Sequence, residues 1–260
     1  MDGINVDVEV LDPTLIPAYG AFVERLRTAA RARDDDATVS VATGAGPTGA
    51  AMAKVAADAG ADRIFLMGYD YRVASSSPGA SAPIDRSDGG LRSLRWSLDL
   101  YETLGVPADR LLLGLPLYGV DWPVVGPVIG APSTGNGEAW FPRAHVELLT
   151  DPDVVPERDA IEQVDVYFSA SDGAVGAPDP SVGPSPGVVS PSLGSSPGAS
   201  GDERTWRAVY VDTPGTLSPK LALANEHGLA GAGFWAVGYT RGLPAYTDLM
   251  DTFTKGEPLP

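Results

Sequence analysis

The 260-residue chain contains no cysteine, which excludes disulfides, thiolate catalysis and metal sites built on cysteine. Histidine is also scarce: His145 and His227 lie far apart in sequence, so a zinc site is not expected. Basic residues are few, with 18 Lys and Arg against 34 Asp and Glu and a formal net charge of −16. Because nucleic acids and anionic membrane surfaces attract positive patches, neither is an expected partner. No run of about 18 apolar residues occurs, so no membrane insertion is predicted.

Hydrophobic residues make up 43% of the chain, enough for a sizeable core. Segments with strand periodicity alternate with segments of helical periodicity, which indicates an α/β fold with a parallel sheet covered on both faces. An open doubly wound sheet and part of a (β/α)8 barrel both fit this alternation. The predicted strands are residues 2–9, 37–43, 63–69, 111–117 and 230–237, and the predicted helices are residues 16–30, 48–59, 91–104, 217–227 and 243–254.

A long region separates the last two predicted strands, and residues 120–212 are interpreted as a small insertion. Within it, residues 170–203 contain six prolines and no aromatic residue, which predicts a disordered low-complexity loop. The flanking segments 139–146, 163–169 and 205–211 are predicted to be short strands or turns. Their aromatic residues could form a minor core or a ligand-facing wall: Trp140, Phe141, Tyr167, Phe168, Trp206 and Tyr210.

The first predicted strand carries the most informative pattern, because apolar residues alternate there with Asn5, Asp7 and Glu9. These three side chains therefore share one face, spaced about 7 Å apart along the strand. Each carboxylate disfavours ionisation of its neighbour, so one carboxyl group can stay protonated near neutral pH and act as an acid. A half-exposed edge strand is the competing interpretation. A calcium loop is less favoured, because the segment lacks the twelve-residue loop with its central glycine.

Polar and aromatic residues gather at the predicted carboxyl ends of the strands: Glu9, Tyr69, Asp70, Tyr118 and Trp235. Barrel enzymes place their chemistry at this end of the strands. Open parallel sheets bind ligands at the same end, so the location alone leaves both architectures possible.

Four segments, in the expected order, resemble the catalytic domain of glycoside hydrolase family 18, the family of chitinases and related N-acetylglucosaminidases. They are Asp2–Glu9 (DGINVDVE), similar to the DGxDxDxE strand; Met67–Asp70 (MGYD), similar to MxYD; Leu113–Gly119 (LGLPLYG), similar to LGxPxYG; and Gly233–Gly238 (GFWAVG), similar to the last strand. The resemblance implies that residues 1–260 form a partial TIM (β/α)8 barrel, strands four to eight, truncated at the N-terminus. The insertion and the disordered loop would then lie between the last two strands. The residues of the first and last of these segments are most similar to those of bacterial branches that include members acting on spore cortex and peptidoglycan.

The resemblance also implies roles for individual residues. Glu9 would be the general acid and later the base, and the substrate's own 2-acetamido oxygen would be the nucleophile. Asp7 would orient the acetamido N–H and stabilise the charge that develops there. Tyr69 would hydrogen-bond the acetamido oxygen. Trp235 would stack under the sugar, although burial in the core is its alternative reading.

The remaining matched positions would support these residues. Met67, Asp70 and Tyr118 would contact substrate. Asn5 stands where the family usually has Asp, so it can hydrogen-bond Asp7 but cannot share its charge or proton. Asp2 would be an acidic residue with a structural role, supporting the site residues without contacting substrate. Trp122 could extend a sugar platform or pack a loop.

The expected function is hydrolysis of β-linked N-acetylglucosaminyl polymers, such as chitin or peptidoglycan glycan, by a substrate-assisted retaining mechanism. The expected partner is an N-acetylglucosamine-containing polysaccharide, no cofactor would be needed, and the protein would be extracellular or in the cell envelope. A non-catalytic chitinase-like lectin is the main alternative. An inactive fragment is another, because five strands cannot close a barrel and would leave two open sheet edges.

Overall fold

The computed structural model describes residues 2–170 and 205–260. The strands form two five-stranded sheets, one parallel and one antiparallel. The strands are β1 (Gly3–Asp7), β2 (Thr38–Gly44), β3 (Arg63–Met67), β4 (Leu111–Pro116), β5 (Gly119–Val124), β6 (Glu138–Trp140), β7 (Glu157–Asp159), β8 (Val164–Ala170), β9 (Trp206–Val211) and β10 (Gly231–Trp235). The α-helices are α1 (Ile16–Arg31), α2 (Pro47–Asp58), α3 (Leu94–Thr103), α4 (Val146–Thr150), α5 (Pro214–Glu226) and α6 (Pro244–Thr254).

The parallel sheet has the order β1-β2-β3-β4-β10, which follows the chain. On one of its faces, alternate apolar side chains pack with the helices into the main core. This core includes Val6, Val41 and Ile64. The prediction that both faces are covered is wrong for this sheet, because the opposite face carries small and polar residues such as Ser40 and Gly44. Parallel strands with a helical layer on one side are the arrangement of a TIM-barrel-like α/β fold.

Helix starts differ from the sequence-based prediction where proline is involved. α2 begins at Pro47 with Gly46 as its N-cap, one residue before the predicted start at residue 48. α5 begins at Pro214, three residues before the predicted start at residue 217, because Thr213 forms a capping box with Thr216. Proline is favoured in the first helical turn, because its φ is already helical and its missing N–H has no partner there.

Residues 119–170 and 206–211 supply the antiparallel sheet, in the order β6-β5-β9-β8-β7. Trp122 is fully buried in its core, packs edge-on against Tyr210 at 5.7 Å, and donates from Nε1 to the Ala74 carbonyl oxygen at 3.2 Å. It therefore packs a loop and does not extend a sugar platform. Ala170 closes β8, and the rest of the predicted disordered loop lies outside the described residues.

Two buried ion pairs join the elements around the second sheet. Lys220 of α5 pairs with Asp212, which follows β9, and both side chains are almost fully buried. Arg72 pairs with Glu162 at 2.9 Å, and the Ala80 N–H donates to the same carboxylate at 2.8 Å. These contacts fix the loop after β3 and helix α5 against the antiparallel sheet. No helix among the described residues is long and apolar enough to cross a membrane.

Candidate active site

The first strand presents its polar residues away from the helices. Val6 is buried in the helical core, so Asn5 and Asp7 face the opposite side of the sheet, and Glu9 lies two residues beyond the strand end. Asn5 accepts a hydrogen bond from Ser40 Oγ at 3.2 Å. The predicted hydrogen bond from Asn5 to Asp7 is not formed, because the register places Asn5 beside Ser40, whereas Asp7 lies about 7 Å further along the strand.

Asp7, Glu9 and Tyr69 share one electrostatic environment. Burial raises the pKa of the Tyr69 hydroxyl, and the negative charges of Asp70, Asp7 and Glu9 raise this pKa further. Tyr69 therefore stays protonated and can donate a hydrogen bond across the whole neutral range. The side chains of Asp7 and Glu9 are solvent-exposed and make no hydrogen bond or ion pair within residues 2–170 and 205–260.

Tyr19 of α1 is also near enough to Asp7 to be influenced by its charge. Burial raises the pKa of Tyr19 to about 12, with a further contribution from the Asp7 charge. The Tyr19 hydroxyl is buried and has no hydrogen-bond partner among the described residues. The helical spacing of its neighbours predicted a core residue, and the sequence carried no signal for its proximity to Asp7.

Asp70 is held by a small hydrogen-bonded cluster. Its φ of 59° lies in the left-handed region, which Asp tolerates better than most residues. Tyr118 Oη donates to Asp70 Oδ1 at 2.5 Å, and the Asp70 N–H donates to Ser81 Oγ at 3.0 Å. Ser81 Oγ in turn donates to Tyr118 Oη at 3.5 Å. Ser81 lies in the Ser- and Pro-rich loop after β3, and sequence reasoning missed it.

A continuous row of aromatic rings crosses the strand ends, and we call Tyr69, Tyr118, Tyr239 and Phe141 the aromatic row. Ring centroids are 6.3 Å apart for Tyr69 and Tyr118, 6.5 Å for Tyr118 and Tyr239, and 4.7 Å for Tyr239 and Phe141, all with tilted or edge-on geometry. The row links the ends of β3 and β4 to the segments after β10 and β6. Tyr239 was not among the residues that sequence reasoning singled out.

Trp235 ends β10 and is 52% exposed, so its indole is not a core residue. Its carbonyl oxygen accepts the Leu117 N–H at 2.7 Å, and a cis peptide bond joins it to Ala236. Below it, the Phe65 ring covers Gly114 and Gly233, where an added Cβ would come within 2.4 and 2.5 Å of the ring. Glycine is needed at both positions because the Phe65 ring occupies the space that the Cβ of any other residue would fill.

Two other predicted site residues are Met67, at the end of β3, and Asp2, just before β1. Met67 ends β3 and pairs in register with Gly44 and Gly114, on the same sheet face as Phe65. Asp2 precedes β1, and its carbonyl oxygen accepts the Thr38 N–H at 3.0 Å. Asp2 is therefore at the opposite end of the strand from Glu9, and the structure does not bring it to the site.

The described residues offer no cluster of three or more His, Asp or Glu side chains that could hold a metal ion. His145 stacks on Trp140 at 4.3 Å, and His227 caps the end of α5. The chemistry available at the strand ends is therefore that of carboxylates, phenols and an indole. Such a set can transfer protons, accept and donate hydrogen bonds, and stack on a sugar ring.

A family model for the glycosyl hydrolases family 18 matches residues 1–239. The chain therefore belongs to glycosyl hydrolase family 18. It is 26% identical over 179 residues to Endochitinase 1 of Metarhizium robertsii, an alignment covering 67% of this chain and 35% of the endochitinase. The chain thus spans about a third of that relative's length.

Solved structures share the fold. A family 18 N-acetylglucosaminidase from Paenibacillus barengoltzii matches with a TM-score of 0.71 and 19% identity, covering 98% of this chain and 70% of that one. The spore cortex-lytic enzyme SleL of Bacillus megaterium matches with a TM-score of 0.62 and 20% identity, covering 92% of this chain and 46% of that one. The predicted family is confirmed by the family model, and these structures share the fold.

Proposed function

We propose that the protein hydrolyses β-linked N-acetylglucosaminyl polymers, chitin or peptidoglycan glycan, with retention of configuration. One observation carries this proposal: Asp7, Glu9 and Tyr69 lie at the carboxyl ends of the parallel strands, near enough for both carboxylates to raise the pKa of the Tyr69 hydroxyl, and in the order that family membership leads us to expect. The five parallel strands would then correspond to strands four to eight of a (β/α)8 barrel. The polymeric substrate implies an extracellular or cell-envelope location.

In the proposed mechanism, Glu9 protonates the glycosidic oxygen while the substrate's acetamido oxygen attacks the anomeric carbon. The bond to the leaving sugar breaks, and a cyclic oxazolinium intermediate forms. Glu9, now ionised, then removes a proton from a water molecule that opens the ring and restores the acetamido group. Asp7 accepts the acetamido N–H and stabilises the positive charge, and Tyr69 donates to the acetamido oxygen.

The other residues hold the sugar. The half-exposed indole of Trp235 offers an apolar face for stacking on the pyranose ring. Asp70 and Tyr118 are bonded to each other, so they present a fixed pair of polar groups to substrate hydroxyls. Met67, on the same sheet face as Phe65, supplies an apolar contact to the sugar. Asn5 supports β2 through Ser40 and does not share the proton of Asp7.

Replacing Glu9 with Gln tests the central role. We expect Glu9→Gln to abolish release of product from a chromogenic N-acetylglucosamine oligomer while binding of the oligomer persists, because only the proton donor is lost. Glu24→Gln, an exposed glutamate on α1, is the matched control and should leave turnover unchanged. Full turnover by Glu9→Gln would remove Glu9 from the mechanism.

A carbohydrate-binding protein without catalysis is the second candidate. The observation in its favour is that the exposed carboxylates of Asp7 and Glu9 lack hydrogen-bond partners in the described part of the chain, so neither is held in place before substrate binds. The presence of Glu9 argues against this candidate, because a protein that only binds carbohydrate does not need a proton donor. Tight binding of chitin oligomers with no product release from the unaltered protein would favour this candidate.

A further inference from the structure

We infer that Arg143, held against Phe141 and Tyr239, forms a carboxylate-binding subsite beside the catalytic cluster. The subsite would select glycans in which a neighbouring sugar carries a carboxylate, as N-acetylmuramic acid does. This inference rests on the proposed function and narrows it to a substrate class. It distinguishes peptidoglycan strands that have lost their stem peptides, whose lactyl carboxylates are free, from neutral chitin.

Arg143 is exposed, and its guanidinium lies against two aromatic rings. Its carbon atom Cζ lies 5.4 Å from the centre of the Phe141 ring and 5.2 Å from the centre of the Tyr239 ring. Its backbone N–H donates to the Tyr239 carbonyl oxygen at 2.8 Å, which ties the turn after β6 to the segment after β10. Cation–π attraction to two rings and this backbone bond limit the positions that the side chain can take, so less entropy is lost when it binds a ligand.

The aromatic row connects this cation to the catalytic residues. Tyr239 touches Tyr118, and Tyr118 is bonded to Asp70 and packs against Tyr69. A glycan whose acetamido sugar lies at Tyr69 would extend along these rings. The next sugars of the strand would then pass Arg143.

The charge of Arg143 is not neutralised within the described residues, since its guanidinium makes no hydrogen bond or ion pair there. Two arginines of the antiparallel sheet are paired: Arg158 bonds Asp165 at 2.8 Å, and Arg207 bonds Asp121 at 2.7 Å. Arg143 instead leaves its positive charge available at the end of the aromatic row. Its planar set of donors matches the two oxygens of a carboxylate.

Binding measurements test the subsite without requiring turnover. Calorimetric titration of the purified protein would compare three soluble tetrasaccharides: alternating N-acetylglucosamine and N-acetylmuramic acid, the same compound with its lactyl carboxylates amidated, and neutral chitotetraose. We expect the carboxylated compound to bind about tenfold more tightly than its amide, the effect of one charge-assisted hydrogen bond at a partly exposed site.

Substitutions test whether Arg143 is the source of the preference for the carboxylated tetrasaccharide. Arg143→Gln should remove the preference for the carboxylated compound and leave the affinity for chitotetraose unchanged, whereas Arg143→Lys should keep part of it. Arg25→Gln, an exposed arginine on α1, is the charge-matched control and should keep all of it. Near-ultraviolet circular dichroism checks that each variant retains the native packing of its aromatic residues.

Failure of the subsite and failure of the proposed function give different results. Equal affinity of the unaltered protein for the acid and its amide would overturn the subsite, as would an equal loss by Arg143→Gln on all three compounds. Glu9-dependent cleavage of chitotetraose without a preference would keep the function and reject the subsite. A preference without any cleavage would keep the subsite and reject the function. Binding to none of the compounds would reject both.

Discussion

The buried pair of Lys220 and Asp212 allows a quantitative prediction for Lys220→Met. Lys220 is 0% exposed and Asp212 is 2% exposed, so neither charge has access to water. Asp212 also accepts Thr216 Oγ1 at 2.9 Å, and that hydrogen bond survives the substitution. Methionine has a similar length and fills the space of the lysine stem, so the main loss is the counter-charge.

Leaving one member of a buried pair uncompensated costs about 3–5 kcal/mol. The hydrogen bond from Thr216 still satisfies part of the Asp212 carboxylate, so we expect about 3 kcal/mol, at the low end. For a chain of this size, each kcal/mol lowers Tm by about 2–4 °C, which gives a decrease of about 6–12 °C.

The pH dependence of the variant follows from the same environment. Burial raises the pKa of Asp212, and without Lys220 the hydrogen bond from Thr216 opposes this effect only in part. The folded state then holds a proton that the unfolded state has released above about pH 4, so stability falls as pH rises. The deficit of Lys220→Met relative to the unaltered protein should therefore shrink as the pH is lowered from 7 towards about 5.

Urea unfolding followed by tryptophan fluorescence, with calorimetry for Tm, measures these differences. The double variant Lys220→Met with Asp212→Leu should recover most of the loss, because replacing a whole buried pair with apolar groups is often nearly neutral. Lys54→Met breaks an exposed pair with Asp58 and should cost less than about 1 kcal/mol. A loss below about 1 kcal/mol for Lys220→Met, or a double variant no more stable than the single one, would refute this reasoning.

Other predictions concern the site, alkaline pH and the second sheet. Tyr118→Phe removes the donor to Asp70 and should lower kcat/KM on N-acetylglucosamine oligomers about tenfold without changing Tm, and unchanged kinetics would contradict a role for this bond. Burial raises the pKa of eight tyrosines, so unfolded tyrosines release protons near pH 10 while folded ones retain them. Stability should therefore fall as pH rises above about 10, and phenolate absorbance should develop at higher pH in the folded protein than in urea. Ala170 and Trp206 pair across β8 and β9, so replacing residues 172–204 with a short Gly-containing linker should raise the free energy of unfolding by about 1–2 kcal/mol, measured by urea unfolding. A lower value would show that the excised segment stabilises the sheet.

Periodicity predicted the parallel sheet well, because each strand has one face against the helices. Alternation in residues 2–9 placed Asp7 and Glu9 on one side, and the burial of Val6 in the helical core agrees with that side. Such faces can be predicted from a short stretch of sequence, because the hydrophobic period of a strand differs from that of a helix. The residues that surround the site in space were harder to find: Ser81 lies in a loop and Arg143 in a single 3-10 turn, neither of which shows a period, and their partners are distant in sequence.

The second sheet was only partly predicted, for a related reason. β5 begins three residues after β4 ends, and both are apolar, so no turn signal separates them in sequence. β7 has three residues, too few to show alternation. The aromatic residues of this region suggested a core or a wall, and the structure uses most of them in the core: Trp122, Trp140, Tyr167, Phe168 and Tyr210 are buried.

The pairing of β5 with β9 has an evolutionary consequence. Gly119, near the start of the excursion from the parallel sheet, is opposite Val211, near its end. The chain therefore leaves the parallel sheet and returns to it at neighbouring points. The distance between β4 and α5 does not depend on the length of polypeptide between these two points. Residues in this excursion can be added, lost or exchanged among descendants while Asp7, Glu9 and Tyr69 keep their positions, so substrate preference can diverge without rebuilding the catalytic strands.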